Sequence, residues 1–425
     1  MHQSFRIAVR EFEPFESAIR RQWEEFDALA HSGLALELKV FDLHSLYRAL
    51  FEENGLGSGE FDIAFINTDW LAAAHAAHCV VDLAPFLSAN QPEDYPSGWT
   101  PSLLRLQSID NSVLGVPYHD GPECLIYRKD LFLDPEEQRN YARRFGIPLR
   151  IPETWQEFHQ IARFFHRPGQ RLWGTAIAGF PDAHNTVYDF MLQLWTRGGS
   201  ILDADGVICF RTAAAAEALE YYRSLMQDRE AVHPESLNFD SVKLGQAFVN
   251  GEIAMMVNWF GFAAWAETCA ESRVRGKIDL GAIPHAPGHP SASLNIYWLL
   301  VIATGCPRPD LAYRFVRHCL SPAMDKLLTL AGAVGCRKST WNDPEVRSNV
   351  PHFRRLESLH SEARELPRRA DWPAIATIID HVVHQAAVTR DPIDELLNQA
   401  DRKAAKLQGQ SSSQGMGSGC PSLDA

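Results

Sequence analysis

Tyr118, His119, Asp120 and Glu123 crowd together around Pro117 and Pro122 in "GVPYHDGPECLIYRKDLF". An imidazole donates and accepts and a carboxylate accepts, so this stretch either relays protons or holds a polar guest. A glycosidase needs two positioned carboxylates. Asp69, Asp120, Glu123 and Asp182 offer many pairs, yet nothing in the sequence separates an acid from a nucleophile. No GxSxG elbow, HExxH or kinase signature is present. His75 with His78 and His381 with His384 lie three apart, but neither pair has a further ligand motif beside it, so both read as surface or partly buried histidines. "GLGSG" (Gly55, Gly57, Gly59) precedes a strand and lacks a following Gly-Lys, which makes it a turn and not a phosphate cradle. The chemistry points to holding, with no enzyme activity, no cofactor and no metal expected.

Bulk properties narrow what is held. A net charge of −13 disfavours nucleic acid and anionic membrane surfaces as partners. No apolar run approaches membrane-spanning length. The 8 cysteines show no CxxC pairs and several sit in apolar contexts, which suits buried free thiols and leans toward a reducing compartment. "MHQSFRIAVREF" enters an alternating strand pattern at once, with no signal-peptide character.

The elements that must position these groups alternate between strand and helix. Phe5, Ile7 and Val9 mark a first strand, and Phe15, Ile19, Trp23 and Phe26 a helix behind Pro14. Leu34, Leu36, Leu38 and Val40 alternate as a second strand, and Phe61 to Ile66 is apolar on both faces, as a strand inside a parallel sheet is. Thr154 and Glu157 form a capping-box pattern before a helix. "LWGTAIAG" reads as a strand, "YDFMLQLW" and "AAAAEALEYYRSLM" as helices, and "SVKLGQAFVNG" as a helix stopped by Gly251 before the strand "IAMMVNW". Asp391 and Pro392 open a last helix, and residues 409–425 are of low complexity and expected to be disordered. At 425 residues the chain needs two cores, and the nested second series suggests two lobes joined by more than one crossing.

Five blocks in order resemble the family 1 extracellular solute-binding proteins, the sugar-binding components of ABC importers that include maltose-binding proteins. They are "FDIAFINTDWLAAAHAAHCVVDLAPF", "VLGVPYHDGPECLIYRKDLF", "PETWQEFHQIARFF", "AFVNGEIAMMVNW" and "GAVGCRKSTWNDPEV" with the closing "DPIDELLNQA". The resemblance implies an α/β fold of two lobes with mixed, mostly parallel sheets flanked by helices and a ligand cleft between them. It places residues 1–117 and 290–328 in an N-lobe and 122–286 and 332–408 in a C-lobe. It implies a monomeric, non-catalytic receptor that closes on a carbohydrate, an oligosaccharide or a polyol, and docks on the ABC permease. Its place is then extracytoplasmic, with a cytoplasmic receptor as the alternative. A glycoside hydrolase, or a receptor for metal or another solute on the same scaffold, are the competing readings.

A sugar offers CH faces that indoles cover and hydroxyls that carboxylates accept, and the resemblance implies which residues supply them. Asp69 and Trp70 stand at the carboxyl end of a buried strand, where parallel sheets bind ligands. Trp259 resembles the family's stacking tryptophan, with Asn258 beside it to hydrogen-bond. His119 and Asp120 come from the crossing segment, and Glu11 from the turn after the first strand. Asp182 and Asn185 precede a helix, where Asp182 serves equally as a cap. Tyr297 and Trp298, and Arg368 and Trp372, match late cleft-lining blocks. Gly121 stands where maltose-binding relatives carry a ligand carboxylate, which implies a different hydroxyl pattern.

Overall fold

The computed structural model describes residues 4–414. The chain opens with β1 (Ser4–Arg10), α1 (Glu13–Ala30), β2 (Ala35–Phe41) and β3 (Ile63–Asn67). After several short helices come β4 (Val116–His119) and β5 (Glu123–Arg128). Then follow α2 (Trp155–Phe165), α3 (Asn185–Trp195), α4 (Ala213–Met226), α5 (Ser241–Val249), β6 (Met255–Trp259), α6 (Phe260–Thr268) and β7 (Ile278–Gly281). The chain closes with β8 (Trp298–Ile302), α7 (Pro309–Cys319), α8 (Pro322–Leu330), α9 (Trp372–Val388) and α10 (Ile393–Gln414).

The first lobe is a five-stranded sheet in the order β2-β1-β3-β8-β4. β1 pairs in parallel with β2 and β3, while β8 runs antiparallel to both β3 and β4. The second lobe has β5 between β6 and β7, antiparallel to each. "LWGTAIAG" does not become a strand there. Trp173 and Thr175 make only isolated parallel bridges, to Ile253 and Val232. "GLGSG" forms a single helical turn, Gly55–Ser58, and Gly59 at φ +80° ends it.

The period-2 alternation of β5 divides two apolar cores. Cys124 and Ile126 join a core that runs through Phe5, Val9, Trp23, Phe65 and Leu300 of the first lobe. Leu125 and Tyr127 face the other way, onto Met191, Leu219 and Ile379 of α3, α4 and α9. The predicted capping box at Thr154 and Glu157 is present and starts α2.

Three crossings join the lobes. Residues 120–122 run directly from β4 to β5, and residues 282–297 return from β7 to β8. The third follows α8, and it is tied to the first at a single residue. The Val334 N–H donates to His119 Nδ1 at 2.9 Å, and its carbonyl accepts from the Asp120 N–H at 2.9 Å. Ser293 of the second crossing donates to the Glu123 carbonyl at 2.6 Å. Tail residues 409–414 continue α10, and the rest of the expected disordered stretch, 415–425, lies outside the described residues.

Candidate functional site

A cleft forms where strand ends and helix starts of both lobes meet. The first lobe supplies Arg10 at the end of β1, Phe12 and Phe15 at the start of α1, Asn67 at the end of β3 and Trp298 at the start of β8. The second supplies Asn185 and Tyr188 from the first turns of α3, Ser241 and Val242 from α5, and Trp259, Gly261 and Phe262 where β6 runs into α6. His119, Asp120 and Gly121 of the first crossing close it. Six of the lining side chains are aromatic, and the polar ones are spaced among them, which is the make-up of a site for a small amphipathic ligand. The free volume enclosed is about 70 Å³. One buried water needs about 10–15 Å³ on that measure, so the cleft has room for about five to seven.

Hydrogen bonds fix what each polar group presents. His119 Nδ1 accepts from the Val334 N–H, so the ring proton is on Nε2 and the imidazole offers a donor. Burial pushes its pKa down to about 3 against a pull from Asp120, so the ring is neutral. Asp120 is 1% exposed, and its Oδ2 lies 2.6 Å from His360 Nε2, while Oδ1 is buried with no partner among the described residues. Arg10 is 5% exposed and donates from Nη2 to Asp240 Oδ2 at 3.2 Å. Asp240 Oδ1 caps α5 through the Lys243 N–H at 2.8 Å, so one carboxylate fastens a guanidinium of the first lobe to a helix of the second. The Arg10 charge is thus met within the protein.

The predicted site residues separate into those the cleft gathers and those behind it. His119, Asp120, Asn185, Trp259 and Trp298 line the cleft together. Trp259 meets Tyr188 edge-on at 5.5 Å. Asp69 and Arg368 line a smaller adjoining pocket with Asn295 and Leu366. There Asp69 Oδ2 accepts from the Tyr188 hydroxyl at 3.1 Å while Oδ1 is buried with no partner among the described residues. Burial raises the Asp69 carboxyl above its ordinary range, against the pull of His184 and Tyr188. Arg368 donates to the Ser108 carbonyl.

The other six are not part of the lining. Glu11 is exposed beside Arg10 at the rim, outside the lining. Trp70 belongs to a one-turn helix, Thr68–Trp70, that turns its ring inward onto Tyr47 and Phe51, leaving it 1% exposed. Asp182 is a cap: its Oδ1 accepts from the N–H groups of His184 and Asn185 and its Oδ2 from the Asn185 amide. Asn258 faces away, donating to the Ser241 carbonyl and accepting from the Trp259 N–H. Tyr297 points into the first lobe and donates to the Leu103 carbonyl. Trp372 starts α9 inside the second core at 1% exposure.

Tyr188, Phe12, Arg10 and Phe262 line the cleft beyond the predicted residues, as does Phe15, which its helical spacing marks as core. Tyr188 had a signal: it lies three residues after Asn185, on the same helix face. Behind Trp259 lie two acids, its buried cross-strand partner Glu123 and the nearby, half-buried Asp189. Burial and the neighbouring Asp182 push the Asp189 carboxyl up to about 8.

Comparison with known proteins gives relatives for this arrangement. The family profile described as bacterial extracellular solute-binding protein matches residues 42–326. A protein of Deinococcus radiodurans named as a probable ABC transporter-binding protein is 22% identical over 335 residues, 75% of this chain and 73% of that one. Among solved structures, the maltose-bound MalE3 of T. maritima has a TM-score of 0.83 at 20% identity, covering 95% of this chain and 99% of that one. An ABC transporter solute-binding protein from Agrobacterium radiobacter, in complex with ribitol, has a TM-score of 0.82 at 23% identity, covering 95% and 98%. At such identities these two structures establish likeness of fold.

Proposed function

The chain belongs to the bacterial extracellular solute-binding proteins, and from that premise we propose that its cleft captures one small polyhydroxylated solute, a single sugar or an alditol, for an ABC importer. Trp259 and Trp298, from opposite lobes, line one enclosed space together with the His119 donor and the Asp120 carboxylate. Indole faces suit ring or chain CH groups, a neutral imidazole N–H suits a hydroxyl oxygen, and a partnerless carboxylate oxygen suits a hydroxyl proton. With Arg10 already paired to Asp240, nothing in the lining calls for an anion. The volume favours one ring or one short chain over an oligosaccharide. The ribitol carried by one similar structure and the maltose carried by another bracket that class.

The role is receipt without turnover. The buried Asp120 is paired with His360, Asp69 with Tyr188, and Asp182 caps a helix, so no carboxyl pair faces the cleft as acid and nucleophile. The partners are the solute and the membrane permease, and the chain works as a monomer on the extracytoplasmic side. Among the described residues no helix is long and apolar enough to cross a membrane. The charge of −13 weighs against nucleic acid.

Thermal shift of the full chain against pentoses, hexoses, alditols and maltodextrins tests this. One monosaccharide or alditol raises the melting temperature and is recovered intact by chromatography. Released product would make the chain a hydrolase, and a shift from maltodextrins alone would overturn the size argument.

A further inference from the structure

Trp70 and His184 meet across the lobes, and neither lines the cleft. The indole Nε1–H donates to His184 Nε2 at 2.9 Å. Trp70 is 1% and His184 6% exposed, so the bond is made out of water. On the first-lobe side the indole packs edge-on against Tyr47, Phe51 and Trp298, contacts that belong to that lobe alone. On the second-lobe side the imidazole is preset. His184 Nδ1 lies 2.6 Å from the Asp182 carbonyl, which only accepts, so Nδ1 bears the proton and Nε2 keeps a lone pair for the indole. The Asp182 carboxylate holds the same loop through the His184 and Asn185 N–H groups at 2.9 and 3.0 Å. Beside this pair the Tyr188 hydroxyl donates to Asp69 of the other lobe at 3.1 Å.

We propose that Trp70 and His184 are positioning residues for solute capture, a preset clasp that holds the lobes shut whether or not the cleft is filled. Open lobes leave both groups to water, whereas closed lobes satisfy each by the other. The bond therefore acts on the open–closed equilibrium and on nothing inside either lobe. A receptor whose closed form is already populated binds more tightly by the gain in that fraction, with no added contact to the solute. This effect on affinity rests on the reading of the cleft as a closing receptor; the clasp itself does not.

The test uses the ligand-free full chain, so its failure is separate from any failure of the sugar reading. Fluorescent labels attached by click chemistry at Leu29 and Leu133, 76% and 72% exposed in the first and second lobe, report closure by energy transfer. The parent shows a closed population. Trp70→Phe deletes the donor, and His184→Phe deletes the acceptor while keeping a ring. Each lowers the closed-to-open ratio about tenfold, because a buried polar group is left unpaired only in the closed form. The double variant falls no further than the worse single, as one shared bond requires. Should Trp70→Phe fail to fold, His184→Phe carries the test from the acceptor side, and an unchanged ratio there overturns the proposal equally. An entirely open parent, unchanged ratios in the single variants, or a double variant that falls by the product of both overturns the proposal.

Discussion

At the scale of single residues, the site depends on what each polar group is prevented from doing. His119 cannot accept from a solute, because the Val334 N–H already occupies Nδ1. It also resists protonation, its pKa lowered from 6.5 to about 3 by burial. Between those values the unfolded chain holds a proton on this histidine and the folded chain does not. Stability linked to His119 therefore rises with pH across that window, is complete above 6.5, and is lost progressively as pH falls toward 3. His119→Gln removes this dependence. In urea titrations at pH 7 and pH 5, the parent should lose roughly 1–2 kcal/mol more than the variant between the two. Equal losses would mean that the imidazole is not held neutral. Residue identity alone left much of this hidden. Trp70 and Trp259 stand in like contexts, each after a buried strand and a polar residue. Trp259 ends its strand and faces the cleft, whereas the one-turn helix Thr68–Trp70 swings Trp70 into the lobe interface. A turn of three residues decides between them, and no periodicity announces it.

At the scale of elements, the strands and long helices were legible because their patterns are strong. The alternation in β1 and β2, the capping box of α2, the alanine-rich α4 and the glycine stop after α5 all lie where the sequence places them. "LWGTAIAG" misled because its apolar residues are buried by packing while only isolated bridges pair its backbone. The crossing between β4 and β5 depends on Gly121 at φ +138°, a region side chains rarely enter. A Cβ there would also meet Phe260 Cβ and the Gly261 nitrogen at 3.2 Å. Gly121→Ala should lower unfolding stability by about 1–3 kcal/mol, read from the urea midpoint. An unchanged midpoint would show that the crossing adapts freely.

At the scale of the whole molecule, two cores become one receptor by sharing a wall. The first-lobe core continues onto one face of the second sheet, and the clasp, the Arg10–Asp240 bridge and the Val334 ties fasten the closed arrangement. The fold was legible because five blocks appear in order over nearly the whole chain. The cleft was only partly legible, since its lining comes from segments as distant as Arg10 and Trp298, and which face each one shows depends on closure. The proposed capture of one small polyhydroxylated solute depends most on Trp259 and Trp298 closing on it from opposite lobes. Titration calorimetry of the full chain with the monosaccharide or alditol that stabilises it tests this most directly. The parent should bind one molecule per chain, and Trp259→Ala and Trp298→Ala should each weaken binding by about tenfold or more. Binding by both variants as tight as the parent's would contradict it.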